Sequence, residues 1–320
     1  MGKARPRKGR PVCGVVFLDK PKGMSSNHAL QRVKRLYNAQ KAGHTGALDP
    51  LATGLLPVCL GEATKFSQYL LDADKSYRVE ATLGVRTTTS DAEGEEVERK
   101  AVNITEDDIR EKLPEFTGKQ QQTPSIYSAL KHEGRPLYYY ARRGIEVPQK
   151  VREINIHSIE FIQFNGNVLE LQVSCSKGTY IRTLIDDLGQ ELGCGAHVSL
   201  LHRNGVADLN ADNMLTIEQL EQVAEAGELD AQLHSVDCLL HALPEQKISR
   251  AEARDLLHGQ PVNNYLDREV AVGDQCRMWS ERIDDGKEFI GVGALRDDNR
   301  FWPKRVLALE FCEFSLDDLK

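Results

Sequence analysis

The sequence contains no run of about 18 or more apolar residues, so no stretch is suited to crossing a membrane as a helix. No apolar core of roughly 7–15 residues follows the basic start MGKARPRKGR, so that start does not read as a secretory signal. No C-x-x-C pair exists: the seven cysteines are scattered and odd in number. This excludes a disulfide framework and a cysteine zinc site, and fits reduced, buried thiols in a cytoplasmic protein. There is no G-x-x-x-x-G-K-[ST] and no G-x-G-x-x-G after a strand, which removes the common nucleotide-cofactor cradles. The absence of H-E-x-x-H and of G-x-S-x-G removes the metalloprotease helix and the nucleophile elbow. The nine histidines show no metal-ligand spacing. The expectation is therefore no cofactor, no metal and no membrane. Nothing in the sequence specifies an oligomer, and a monomer is expected.

What remains is an ordinary globular composition. The chain has 320 residues, 40% of them hydrophobic and 28% charged. That is enough for one large core or two domains. The net charge of -7 is unevenly spread. Residues 1–50 hold eleven Lys/Arg against two acids, whereas residues 206–245 hold nine acids and no Lys/Arg. A chain polarised in this way can present one face to a polyanion.

Residues 14–19 form a short apolar run, expected as a buried strand, broken by Lys20-Pro21-Lys22-Gly23. Ser25 or Ser26 can cap a helix whose Ala29, Leu30, Val33, Leu36 and Tyr37 share a face, leaving Arg32, Lys34 and Arg35 outside. Residues 43–61 carry four glycines and two prolines with no clear period, and read as an ordered loop. Residues 77–84 and 168–175 alternate as half-buried strands, and residues 86–98 read as an acidic surface loop. Residues 105–116 and the run from Ile181 to Gly193 read as helices. Tyr180 and Arg182 thus stand where a strand hands over to a helix, a common place for site residues. After Pro244 come a short helix at 249–258 and brief strand-like runs near 270–272, 276–279, 289–294 and 305–311, which suggest a small β-barrel. The expected organisation is a basic flexible arm at 1–12, a mixed α/β domain at 13–245 and a small domain of short strands at 246–320.

Asp49 is the residue that draws chemistry. Between Lys41 and Glu62 it is the only carboxylate, set among small and apolar residues with His44 nearby. A partly desolvated carboxylate is costly unless it is used. The plainer reading is that Asp49 caps the backbone of its own Asp-Pro turn.

The string Gly43-His44-Thr45-Gly46-Ala47-Leu48-Asp49-Pro50-Leu51-Ala52-Thr53-Gly54-Leu55-Leu56 resembles the catalytic signature of the TruB family of tRNA pseudouridine synthases. Asp19-Lys20-Pro21-Lys22-Gly23, Lys75-Ser76-Tyr77, Gly178-Thr179-Tyr180-Ile181-Arg182 and His197-Val198-Ser199-Leu200-Leu201 are similar to further motifs of that family. The likeness runs over roughly residues 12–230, and the last 75 or so resemble, more weakly, a PUA-type RNA-binding domain. The resemblance implies an α/β (α+β) fold with a mixed, largely antiparallel sheet flanked by helices, followed by a PUA-like β-barrel. It implies isomerisation of a uridine at position 55 in the T-loop of tRNA, with Asp49, Tyr77 and Arg182 catalytic. His44, Tyr77, Tyr180, Leu201 and Lys20 would meet the substrate. Lys22, Arg32 and Arg35, with Lys34, would contact phosphates, as would Arg142 and Arg143 beside Tyr138-Tyr139-Tyr140. One departure is visible. After Leu201 the family commonly continues with two arginines, and here His202-Arg203-Asn204 stands, which puts one phosphate contact in doubt.

Two rival readings stay open at this point. One is an RNA-binding or RNA-folding protein in which catalysis is secondary. The other is a glycoside hydrolase with Asp49 as nucleophile, which needs a second carboxylic acid that the signature loop does not supply.

Overall fold

A computed structural model describes residues 9–128, 130–281 and 286–312. The first part of the chain forms β1 (Gly14–Lys20), α1 (Ser26–Leu36), β2 (Ala42–His44), β3 (Thr53–Leu60) and α2 (Ser67–Leu71). Next come β4 (Lys75–Leu83), β5 (Val85–Thr87), β6 (Glu96–Arg99), α3 (Glu106–Lys112) and β7 (Gly118–Gln122). The short pair β8 (Lys131–His132) and β9 (Arg135–Pro136) leads into α4 (Leu137–Ala141), β10 (Arg152–Asn165) and β11 (Val168–Cys175). Then follow α5 (Ile181–Glu191), β12 (Ala196–Val206), β13 (Leu209–Asn210) and α6 (Ile217–Glu225). The chain closes with β14 (Glu245–Ile248), α7 (Arg250–Leu257), β15 (Val262–Asn263), β16 (Gln275–Glu281), β17 (Lys287–Leu295) and β18 (Arg300–Val306).

One sheet organises the first 240 residues, in the order β1-β3-β12-β4-β11-β10-β7. All its neighbours are antiparallel except β12 with β3. The mixed, largely antiparallel sheet expected from the resemblance is therefore present. Ser25 does cap α1, its side chain accepting from the His28 N–H. Ala29, Leu30 and Val33 of that helix are buried in the same core as Val79, Ala81, Leu171, Leu184 and Ile185. The C-terminal strands make a second, nearly closed sheet ordered β14-β16-β17-β18-β15.

Three local expectations are corrected. Residues 43–61 are not all loop: Thr53–Leu60 is a strand inside the sheet, between β1 and β12. A fully buried strand carries a continuous apolar run rather than an alternation, so periodicity could not reveal it. Residues 86–98 hold the hairpin β5–β6, and Asp91 within it is only 2% exposed. Residues 270–272 form no strand; the fifth strand of the small sheet is Val262–Asn263.

The boundary near 245 is also packed. Val15, Phe17, Leu55 and Phe66 share one apolar cluster with Phe289, Val292 and Leu307 of the second sheet. At the other end, residues 1–8 of the expected arm lie outside the described residues. Arg10 pairs with Asp230, and Val12 is buried.

Candidate active site

Sheet order brings the expected site residues together. Tyr77 on β4 faces Arg203 on β12 in register on one side and Val173 on β11 on the other. The segment after β11 starts α5 and carries Tyr180 and Arg182. Asp49 comes from the loop between β2 and β3, and β3 lies beside β12.

That loop is fixed from beneath. The Asp49 carbonyl accepts from the Ala52 N–H at 3.1 Å, closing a turn with Pro50 at its second position. The Ser26 hydroxyl donates to Leu48 O at 2.9 Å and accepts from the Leu48 N–H at 2.7 Å. Arg203, 1% exposed, donates from Nε to Leu55 O at 2.8 Å and from Nη2 to Gly46 O at 3.2 Å. Gly54 has φ +96° and lies so close to the Arg203 backbone that a Cβ would collide with it. Thr53 Oγ1 and His202 Nδ1 are 2.8 Å apart. The His-Arg pair that departs from the family pattern therefore lies inside the fold. Arg203 braces the signature loop and does not reach for phosphate.

The Asp49 carboxylate meets Arg182, Oδ2 to Nη2 at 2.9 Å. Arg182 is 4% exposed and is shared among three segments. It donates to Asp91 Oδ2 at 3.0 Å, Thr89 O at 3.2 Å and Tyr127 O at 3.1 Å. A guanidinium with several donors in a rigid fork suits this, where a single ammonium would not. Burial raises the Asp49 pKa, Arg182 lowers it, and Asp91 raises it again. Still, 42% of the Asp49 side chain is exposed, because the pocket above it is open. Protein surrounds the carboxylate on its lower side and leaves its upper side free for a ligand.

That pocket has a volume of about 250 Å³ and is lined by Asp49, Tyr77, Tyr180, Arg182, Leu201 and Lys75 among others. Burial raises the Tyr77 pKa, with Arg203 opposing, and burial also raises that of Tyr180. Both therefore stay neutral phenols near pH 7. Lys75, 8% exposed, donates to Leu70 O at 3.1 Å, Leu71 O at 2.9 Å and Ala73 O, closing the C-terminus of α2. A second cavity of about 450 Å³ continues past Asp49 and Arg182 to His44, Asn27, Tyr138 and Arg142. His44 is half-buried there, its pKa lowered chiefly by burial, and its Nδ1 has no hydrogen-bond partner.

The basic residues divide. Lys20 is 0% exposed, and its Nζ donates to Pro21 O at 2.9 Å, Met24 O at 2.6 Å and Pro50 O at 3.5 Å. Its expected contact with substrate is corrected: it ties the first motif to the turn that holds Asp49. Burial lowers its pKa to about 8, with Asp49 opposing. Arg32 is engaged by Glu221 of α6. Lys22, Arg35, Arg142 and Arg143 are exposed, and Lys34 is half-buried. Three residues that the sequence did not single out matter here. Asp91 sat in an acidic stretch that reads as solvated, Lys75 entered only as a neighbour of Tyr77, and Gln122, whose side chain bonds to the main chain of Tyr180, carried no signal. Among the described residues no group of three or more His, Cys, Asp or Glu could hold a metal, and no helix is long and apolar enough to cross a membrane.

A family model described as TruB family pseudouridylate synthase (N terminal domain) matches residues 34–181. Models for the tRNA pseudouridylate synthase B C-terminal domain and for Pseudouridine synthase II TruB, C-terminal, match residues 182–241 and 244–307. A protein of Idiomarina loihiensis named tRNA pseudouridine synthase B is 64% identical over 97% of this chain and 99% of its own. One of Photobacterium profundum with the same name is 51% identical over 95% and 98%. Among solved structures, one titled Crystal Structure of a Cbf5-Nop10-Gar1 Complex matches with a TM-score of 0.66 and 26% identity, covering 88% of this chain and 78% of that one. A structure of an H/ACA RNP bound to a substrate RNA containing 2'-deoxyuridine shares the fold at a TM-score of 0.69 and 23% identity, over 99% and 94%. The fold is thus that of the pseudouridine synthases, and the chain belongs to the TruB family of pseudouridylate synthases.

Proposed function

We propose that this chain converts a uridine to pseudouridine in the T-loop of tRNA, at position 55, and that Asp49 is the catalytic carboxylate. The observation that carries the reading is the convergence of Asp49, Arg182, Tyr77, Tyr180 and Leu201 on one open pocket, with the carboxylate paired to a buried guanidinium. The names of the relatives supply the tRNA.

The reaction breaks the N1–C1′ bond, turns the base and joins C5 to C1′. The C5 proton leaves and N1 gains one, so the reaction needs neither oxidant nor energy source. A carboxylate assists by attacking the sugar or base, or by stabilising positive charge at C1′. Arg182 favours the ionised form of Asp49 against the pull of burial. Tyr77 and Tyr180 offer flat faces for a base, and Leu201 an apolar wall. The target must leave its stack, at a cost of a few kcal/mol. His44 and Arg142 border the adjoining groove, where they can meet the rest of the loop.

The test is tritium release from tRNA transcripts carrying [5-³H]uridine. Wild type should release it from one position, and Asp49→Asn should be slower by on the order of 10³-fold or more. No release by wild type would overturn the reading and leave an RNA-binding protein. Full activity in Asp49→Asn would remove Asp49 from the chemistry.

A further inference from the structure

Gln122 ends β7, at the edge of the main sheet, and is 4% exposed. Its side chain grips the main chain of Tyr180. The Tyr180 N–H donates to Oε1 at 2.8 Å, and Nε2 donates to Tyr180 O at 3.0 Å. One side-chain amide thus reproduces the reciprocal pair that two facing residues exchange in an antiparallel ladder.

The position of this clamp gives it leverage. Tyr180 is the N-cap of α5, held extended at φ −101° and ψ 105°, and its own side chain does not cap the helix. Its carbonyl accepts the first helical bond, from the Leu184 N–H at 3.1 Å. Two residues on, Arg182 must place its guanidinium between Asp49 and Asp91. The direction in which the chain enters α5 therefore sets both the Tyr180 ring and the Arg182 head. Gln122 is not among the residues lining the pocket that holds Asp49, so it can act only through Tyr180.

We propose that Gln122 is a positioning residue for the isomerisation, its amide fixing the Tyr180 main chain and through it the geometry of the Asp49–Arg182 pair. This rests on the Asp49-centred reading above. The requirement is for a planar group that accepts and donates at once. A carboxylate accepts from the Tyr180 N–H but sets a second lone pair against Tyr180 O. A protonated carboxyl group does both jobs. Gln122→Glu is therefore a version of the clamp that protons switch on.

The experiment measures tritium release under saturating and subsaturating tRNA for wild type, Gln122→Leu and Gln122→Glu, from about pH 8 down to about pH 5.5. At the upper pH both variants should lose roughly 10–100-fold in kcat, since small misplacements of reacting groups cost that much, with KM within about threefold. As pH falls, the ratio of Gln122→Glu to wild type should climb about tenfold, while the ratio for Gln122→Leu stays flat. Near wild-type kcat in Gln122→Leu would overturn the proposal. So would a pH-independent ratio for Gln122→Glu, or a loss confined to melting temperature with kcat intact. Wild-type release in the same assay keeps the two levels apart: silence there removes the isomerase reading, whereas active wild type with active variants removes only the role of Gln122.

Discussion

The floor of the pocket and the rim beside it are built on opposite principles. On the floor, charged groups are buried and each has several partners. Arg182 binds two carboxylates and two carbonyls, Arg203 two carbonyls and Lys75 three. On the rim, the cations are exposed and lean on aromatic rings. Arg143 lies 3.7 Å from the centroid of Tyr139, Arg135 lies 4.4 Å from the same ring, and Arg142 lies 5.5 Å from that of Tyr138. Such exposed contacts are worth about 0.5–1 kcal/mol each. Removing one member of a buried ion pair costs about 3–5 kcal/mol, because its partner is left uncompensated. The difference matches two tasks. Bond making needs groups held to fractions of an ångström, whereas a flexible polyanion is met by cations free to move. If so, floor substitutions should act on kcat, stability and pH dependence, and rim substitutions on KM and salt dependence.

After Asp49 itself, the largest effect should come from Arg182→Met. It leaves Asp49 and Asp91 facing each other without their shared cation, and both burial and Asp91 already push the Asp49 pKa up. We expect kcat to fall by on the order of 10²-fold at pH 7 and the melting temperature to drop. The acid limb of the pH–rate profile should move to higher pH, because more base is then needed to ionise Asp49. An unmoved acid limb would detach Arg182 from the ionisation of Asp49.

A smaller effect is expected at Lys75, which closes α2 while Tyr69 of that helix bonds to Gln275 of the second sheet. Lys75→Met should reduce kcat about tenfold, as the carbonyls of Leu70 and Leu71 lose their donor. Its stability signature has a defined sign. Burial lowers the folded pKa to about 8, against 10.5 ordinarily. Between these values the unfolded chain binds more protons than the folded one, so stability rises with pH. Wild type should therefore gain on Lys75→Met from about pH 8 to 10.5, by at most about 3 kcal/mol. Lys20 titrates similarly but is present in both proteins, so the difference isolates Lys75. A difference that shrinks with pH would contradict the assignment.

The same contrast explains what was legible in the sequence. The half-buried strands Lys75–Leu83 and Val168–Cys175 announced themselves by alternation, and α1 by its apolar face and serine cap. Thr53–Leu60 did not, because a strand covered on both faces has no period to read. Asp49 was visible because a lone carboxylate among small residues is unusual, and its family string made it more so. Asp91 and Gln122 were invisible: one lay in an acidic run and the other among three consecutive glutamines. Their importance is created by long-range contacts with Arg182 and Tyr180, about 90 and 60 residues away along the chain. Lys20 misled for the reverse reason. A lysine in a family motif reads as a substrate contact, and only the fold reveals that its ammonium is consumed by three carbonyls.

The smallest predicted effect is at the rim, and it is the sharpest check of the division. Arg142→Ala and Arg143→Ala remove exposed cations that lie against aromatic faces, Arg143 also donating to Tyr139 O at 3.2 Å. Neither should change kcat by more than about twofold, and the loss of stability should stay near 0.5–1 kcal/mol. If they meet the phosphates of a bound RNA, each should raise KM several-fold. Each should also lower the slope of log affinity against log salt by about 1, because one counterion fewer is released. The exposed Lys22 serves as a second probe, next to Gly23, whose N–H donates to Pro50 O of the Asp49 turn. A rim substitution that lowered kcat while leaving the salt slope alone would mean that Tyr138 and its arginines belong with the floor, ordering the groove beside His44 instead of gripping the backbone. An unchanged KM together with an unchanged slope would place the RNA path elsewhere on the basic face.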